Sequence, residues 1–437
     1  MEVELNQSLN ALVPGGQIPK GRINISGAKN SATRLLAASL ICDENVEIRN
    51  FPTALLDVRH KARFISDCGG EIRFDNENEI IHIDNQSFTN QYLGYYNYPV
   101  RTTYLFAAGL VKKSNTAYIP YPGGCNLGNR GYDQHIMVWE KLGATVIERN
   151  NYIEIKTQNG FIPGEIDFPI STIGGTENAL ICASTISGLT KIRNAYISPE
   201  VHDLISFLQS MGVNIKVIGN SYIEVYGSKY LRGAIHTVIP DRIEALTWLV
   251  YGALSKGDII INNVPFASME IPLKHIEEAG IDFYRNKNSI RISPDCLDLG
   301  LVHPFELATG AHPGVISDMQ PFYVLLGLYA NGISRIYDYR YPKRIKYCEQ
   351  LEKFYPSGLK WEEGKITTFG INRMTPQASE VYSTDLRGSM ALLLGALLCK
   401  EGVSNISGID MALRGYNNLN KKLKGIKVHI DLLPQNP

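Results

Sequence analysis

Residues 176–227 read TENALICASTISGLTKIRNAYISPEVHDLISFLQSMGVNIKVIGNSYIEVYG, and four kinds of segment follow one another within them. The opening, Thr176–Gly188, is an apolar helix that runs into a glycine, a residue suited to a helix C′ position. TKIRNAY (190–196) alternates and carries β-branched residues, as a strand does. EVHDLISFLQSMGV, from Glu200, spaces its apolar residues at i, i+3 and i+4, the pattern of a one-sided helix. NIKVIGNSYIEVYG (214–227) is a hairpin, two alternating strands about a polar turn.

The same order recurs along the chain. Further apolar helices are expected at Asn30–Leu40, Thr102–Val111, Arg242–Gly257, Asp318–Gly332 and Leu386–Gly402. Short strands follow them at 46–52, 116–122, 258–265, 334–340 and 404–410. IPLKHIEEAGI, from Ile271, reads as another amphipathic helix, and TVIERNNYIEIK (145–156) as another hairpin. The opening helices start near residues 29, 101, 176, 241, 318 and 385. Units of roughly 70 residues exceed the ~20–50-residue period of solenoid arrays, so globular α/β lobes built by repetition fit better.

Composition narrows the class. The 437 residues are 44% hydrophobic and 20% charged, which is ordinary globular usage and excludes a disordered or low-complexity chain. Forty-three basic residues balance forty-three acidic ones, so nothing electrostatic suggests a nucleic-acid binder. Seven cysteines without CxxC spacing argue against a disulfide framework or zinc ribbon and for a reducing compartment. The start MEVELNQSLNALVPGG lacks the basic and apolar regions of a secretion signal. The longest apolar runs, such as Met390–Cys399, are half of the ~20 residues that span a bilayer. A soluble, cytoplasmic protein without a membrane or obligate protein partner is expected.

Charge at the helix starts adds a second regularity. Lys29, Arg101, Asp241, Asp318, Asp385 and Arg387 sit at or just before the first turn of an apolar helix. Acids there are ordinary caps. Bases oppose the helix dipole, so Lys29, Arg101 and Arg387 point to helix ends that face an anionic ligand.

Four stretches carry chemistry. In PGGCNLGNRGYDQH (Pro122–His135), Cys125 stands among glycines with Arg130 nearby, which would lower the thiol pKa. SGAKNSATR (Ser26–Arg34) delivers Lys29 and Asn30 to a helix start, but it is no Walker A loop, and GxGxxG is absent. AHPGVISDMQ (311–320) holds His312 and Asp318; STDLRGS (383–389) holds Asp385 and Arg387. Nine dispersed histidines and no HExxH motif leave no metal site and no cofactor to expect.

SGAKN, PGGCxxGxR, PDRIE (Pro240–Glu244), HPxxxxDMQ and TDLR, in this order, resemble the enolpyruvyl transferases over about Gly21 to Tyr416. The resemblance is strongest to the branch that acts on a UDP-amino-sugar. It implies a two-lobed inside-out α/β barrel of six α-β repeats, three per lobe, with helix N-termini aimed into the cleft. Residues 1–28 with 240–437 would form one lobe and 29–239 the other, the chain crossing near Gly27–Lys29 and Ile239–Asp241. The implied reaction is addition–elimination, moving the enolpyruvyl group of phosphoenolpyruvate to the 3-hydroxyl of UDP-N-acetylglucosamine in peptidoglycan precursor synthesis. Lys29, Arg130 and Arg387 match phosphate-facing positions, Arg344 in YPKR matches an arginine around the carboxylate, and Arg101 a further cleft position. Cys125 matches the cysteine that protonates the methylene carbon and is attacked by epoxide antibiotics of the fosfomycin type. Asp318 matches the acceptor of the hydroxyl proton. Asn30, Asp133, Gly174 and Glu200 match the acceptor's surroundings.

Some positions depart from the family pattern. Gly131 replaces a proline, Ile170 a basic residue near the uracil, and Ser198 a glutamate; Arg340 stands where a small apolar residue is usual. Arg34 occupies an apolar position of the amino-sugar branch, whereas in the shikimate-pathway relative an arginine at that offset binds the acceptor. These changes leave the enolpyruvyl machinery in place and concentrate on acceptor recognition. The alternatives are transfer to another nucleotide or sugar in secondary metabolism and an inactive, nucleotide-binding paralogue. Asn30 and the PGGC loop weigh against shikimate-3-phosphate.

Overall fold

The computed structural model describes residues 8–87, 101–121, 123, 131–370 and 375–435. They divide into two compact units: one holds the described residues up to Ser26 and from Pro240 onward, the other those from Gly27 to Ile239.

Each unit carries three separate sheets, and no closed barrel forms among the described residues. One sheet shows the common plan. Gly188–Arg193 runs parallel to Glu165–Asp167 and antiparallel to Tyr222–Gly227, which pairs in turn with Asn214–Ile218. The hairpin expected at 214–227 is therefore present, register Ile215↔Val225 included. Val46–Arg49, Asp258–Asn262, Ile333–Tyr337 and Val403–Ser407 occupy the same place in their own sheets. Ala234–Thr237, at the end of its unit, returns to lie parallel to Val46–Arg49 near that unit's start.

The sheet of Val403–Ser407 differs from the others in where its last two strands come from. Its hairpin positions are filled by Leu9–Pro14 and Asp431–Pro434, drawn from opposite ends of the sequence. Leu9, Ala11 and Val13 are fully buried and alternate with more open residues, so this strand presents one face to the core. Lys20–Asn24 then adds a strand beside Asp258–Asn262. Leu9–Pro14, before Gly21, is thus an integral strand of its unit.

The apolar helices lie inside and the sheets outside. Every residue of Arg242–Leu254, Gln320–Leu328 and Leu386–Leu397 is buried. A helix apolar on all sides has nowhere else to go. In one unit Leu386–Leu397 packs against Lys346–Phe354 and Gln320–Leu328; in the other Lys29–Ala38 packs against Leu56–Asp67 and Pro199–Ser210.

Two local expectations are corrected. The opening helices stop at Ser184, Leu254, Leu328 and Leu397, three or more residues before the glycines expected at C′. After Leu254 the left-handed residue is Lys256, with φ 54°, not Gly257. Gly257 serves a close approach instead, since a Cβ there would lie 2.7 Å from Pro19 Cγ. The helix expected from Asp318 starts as a 3₁₀ turn, Ser317–Met319, before Gln320–Leu328, and Thr102–Phe106 is likewise 3₁₀.

Candidate active site

The three acids at helix starts behave differently. Asp241 accepts from the N–H groups of Ile243 and Glu244, at 2.8 and 3.1 Å, and Asp385 from those of Arg387 and Gly388, both at 3.2 Å. Both are N-caps, as acids at such positions usually are. Asp318 does not stand at an N-cap, the cap positions there being Ile316 and Met319. Its Oδ1 accepts from Arg344 Nη1 at 2.7 Å, and its Oδ2 lies 3.5 Å from Arg387 Nε.

These arginines are almost wholly buried, with side chains 3% and 2% exposed, whereas Asp318 is 29% exposed. Arg344 Nη1 also donates to Ser317 Oγ at 3.2 Å, and Ser317 Oγ donates to Asp338 Oδ2 at 2.5 Å. Arg344 Nη2 lies 3.5 Å from Asp385 Oδ1. Burial opposes the charge on Arg344, but Asp318 and Asp385 outweigh it and hold the guanidinium pKa above its ordinary value. The Arg387 guanidinium stacks over the Tyr416 ring at 5.3 Å, and Tyr416 Oη lies 2.9 Å from Thr247 Oγ1.

This cluster is not self-sufficient. Arg387 Nε and Nη1 and Arg344 Nε are buried with no hydrogen-bond partner among the described residues. Unmet buried donors on a cation are costly, so an anionic ligand would satisfy what the protein leaves open. Two guanidiniums beside a partly exposed carboxylate can hold an anion and take up a proton next to it.

The other unit holds further residues singled out in the sequence. Lys29 is the first residue of helix Lys29–Ala38, which has no side-chain cap, and its Nζ lies 2.9 Å from Asp57 Oδ2. Asn30 follows it in that turn and is half-buried. Arg34 Nε donates to both Glu177 oxygens, at 2.9 and 3.0 Å. Lys61, fully buried, donates to Thr33 O at 2.7 Å. Burial, reinforced by Arg34, pushes the Lys61 pKa well below that of an ordinary lysine.

Arg101 Nη2 donates to Gly131 O at 3.3 Å. A Cβ on Gly131 would fall 2.2 Å from Asp133 Oδ1, in the first turn of Asp133–Lys141. Gly174 backs onto Tyr104 Oη and His135, whose rings stack at 3.5 Å. Burial, with Arg101 nearby, pushes the His135 pKa down to about 3. Glu200 is buried in the first turn of Pro199–Ser210, which Ser198 caps by accepting from Val201 N at 3.3 Å. Ile170 and Arg340 are exposed. Cys125 and Arg130 lie outside the described residues. Sequence reading did not single out Glu177, Lys61, Asp338 or the ring of Tyr416, because none stands at a regular spacing from its partner.

Among the described residues no group of three or more His, Cys, Asp or Glu is placed to hold a metal ion. Among the same residues no helix is long and apolar enough to cross a membrane.

The two-unit architecture is matched by the comparisons with known proteins. The family profile described as EPSP synthase (3-phosphoshikimate 1-carboxyvinyltransferase) matches residues 14–423, and the chain belongs to this family of carboxyvinyl transferases. A curated relative from Caldanaerobacter subterraneus subsp. tengcongensis, UDP-N-acetylglucosamine 1-carboxyvinyltransferase 3, is 34% identical over 96% of this chain and 98% of its own. A UDP-N-acetylglucosamine 1-carboxyvinyltransferase from Sulfurovum is 31% identical over 96% and 97%. Among solved structures, the enolpyruvyl transferase NikO from Streptomyces tendae shares the fold with a TM-score of 0.85 at 20% identity, covering 98% of this chain and all of that one. EPSP synthase from Acinetobacter baumannii does so at 0.72 and 15%, with the same coverage.

Proposed function

We propose that the protein transfers the enolpyruvyl group of phosphoenolpyruvate to the 3-hydroxyl of UDP-N-acetylglucosamine, releasing phosphate, as a cytoplasmic step of peptidoglycan precursor synthesis. The observation that carries this reading is Asp318, the one helix-start acid of the three that is not at an N-cap position and that meets two buried arginines with unmet donors. Identity of 34% and 31% to proteins named for that transfer, over nearly their full length, supports the acceptor.

Arg387 and Arg344 hold the anionic groups of phosphoenolpyruvate, and Asp318 takes the proton of the acceptor hydroxyl as oxygen attacks the enol carbon. Lys29, Arg101 and Arg130 add cationic contacts to phosphoenolpyruvate. Cys125 delivers a proton to the methylene carbon, so charge building at the enol centre is met by a carboxylate and an acid together. Elimination then restores the double bond: a proton of the new methyl group returns to the Cys125 thiolate as phosphate leaves, and the acceptor's proton departs from Asp318 with phosphate. Asn30, Asp133, Gly174 and Glu200 are assigned to the acceptor, and Arg34, whose Nε is taken up by Glu177, acts on it through that pair.

The test is phosphate release from phosphoenolpyruvate with UDP-N-acetylglucosamine, beside UMP, other uridine nucleotides and shikimate-3-phosphate, with mass spectrometry of the product. Release with UDP-N-acetylglucosamine is the expected result. Release only with another acceptor would move the protein to a different pathway and make Arg34, Gly131, Ile170 and Ser198 its specificity positions. Tight nucleotide binding with no release from any acceptor would identify an inactive paralogue.

A further inference from the structure

We infer that Asp203 is a positioning residue, whose buried carboxylate fixes, through Ser31, the helix turn that carries Lys29 and Asn30. The inference rests on the functional reading above, which gives those two residues to the substrates. Helix Lys29–Ala38 begins at Ala28 without a side-chain cap and without an acid in its first turn. An end left open in this way suits an anion, but it lacks the geometric anchor that a cap supplies.

The anchor comes from the side, one residue past Asn30. Ser31 Oγ donates to Asp203 Oδ2, and both residues are buried. Asp203 stands on helix Pro199–Ser210, and its Oδ1 also meets His236 Nε2 at 2.8 Å. The His236 ring is itself set edge-on to Phe207, with centroids 5.5 Å apart. Asp203 Oδ2 further accepts from Ile239 N at 3.4 Å, and Ile239 O accepts from Ala28 N at 2.7 Å. One carboxylate thus joins the helix turn to the backbone that runs beside it, in a closed ring of hydrogen bonds. With three donors and no exposure to speak of, Asp203 acts through Ser31 and not on a substrate.

Ser31→Ala removes one bond of the ring and leaves Asp203 its contacts to His236 and Ile239, so the fold is retained. A turn loosened by a fraction of an ångström is expected to lower kcat/KM about 10- to 100-fold. The melting temperature is expected to stay within about 3 °C of wild type. Ser31→Thr, which restores a hydroxyl, is expected to recover kcat/KM to within roughly threefold of wild type. Wild-type kinetics in Ser31→Ala, equal losses in the two variants, or a loss that only follows a large fall in melting temperature would each overturn the inference. A wild-type protein that releases phosphate with no acceptor overturns the functional reading and this inference with it. An active wild type with an unaffected Ser31→Ala overturns this inference alone.

Discussion

Arg34 and Glu177 satisfy each other, whereas Arg344 and Arg387 meet Asp318 and still keep donors over. In the first cluster one guanidinium Nε serves both oxygens of a carboxylate that is 1% exposed, and a fully buried Lys61 stands behind them. In the second, two arginines share a carboxylate that reaches solvent, and three of their nitrogens have no hydrogen-bond partner among the described residues. Burial of charge is common to both. What separates them is whether the donors are spent inside the protein, and unspent donors are the mark of a place built to receive something.

The sharpest way to break this contrast is to remove the exposed carboxylate. Asp318→Asn is expected to lower kcat about 100- to 10,000-fold, the range of a lost general base, without unfolding the protein. Cys125→Ala should give a loss of the same order in phosphate release. Near wild-type turnover in either variant would take that residue out of its assigned role.

The closed cluster should answer in stability. Glu177→Ala removes the one carboxylate that Arg34 Nε touches, leaving only the weaker pull of Glu200, and is expected to cost about 3 kcal/mol in urea unfolding. The paired variant Arg34→Met with Glu177→Leu should regain most of that. If the single variant costs less than about 1 kcal/mol, the cluster is not the sealed structural pair described here.

Acid sharpens the comparison further. His135 has a folded pKa of about 3, held down by burial, against an unfolded value near 6.5. The unfolded state therefore binds the extra proton first, so this contribution is present above pH ~6.5 and is lost as pH falls toward 3. Between pH 7 and 5 the wild type should lose about 2 kcal/mol more unfolding free energy than His135→Gln. Equal losses would mean that His135 is protonated in the folded protein.

The smallest effect belongs to Tyr416. Tyr416→Phe keeps the ring against Arg387 and deletes the hydroxyl's contacts to Thr247 and Arg387. It should cost about 1 kcal/mol in stability and change turnover less than tenfold. A larger kinetic loss would place the hydroxyl among the groups that meet substrate.

The two kinds of site differ equally in how far they can be read without a structure. Helices and hairpins depend on neighbours three, four or two positions away, so their periodicity stands in the chain itself. The apolar helices, the strands that follow them and the hairpin at 214–227 were legible for that reason. Helix ends were less so: the left-handed residue after Leu254 is Lys256, while Gly257 donates back to Gly252 O and makes room for Pro19.

Pairings across the fold leave no such trace. Leu9–Pro14 shows alternation, but its place beside Val403–Ser407 depends on partners almost four hundred residues away. Asp241, Asp318 and Asp385 look alike as acids at helix starts, and only packing decides that two are caps and one meets arginines. Glu177 could not be paired with Arg34, nor Asp203 with Ser31, because 143 and 172 residues separate them. Local hydrogen bonding and side-chain periodicity write the elements into the sequence. The meeting of distant charges is decided by burial, where a side chain must find a partner among whatever the fold has brought near.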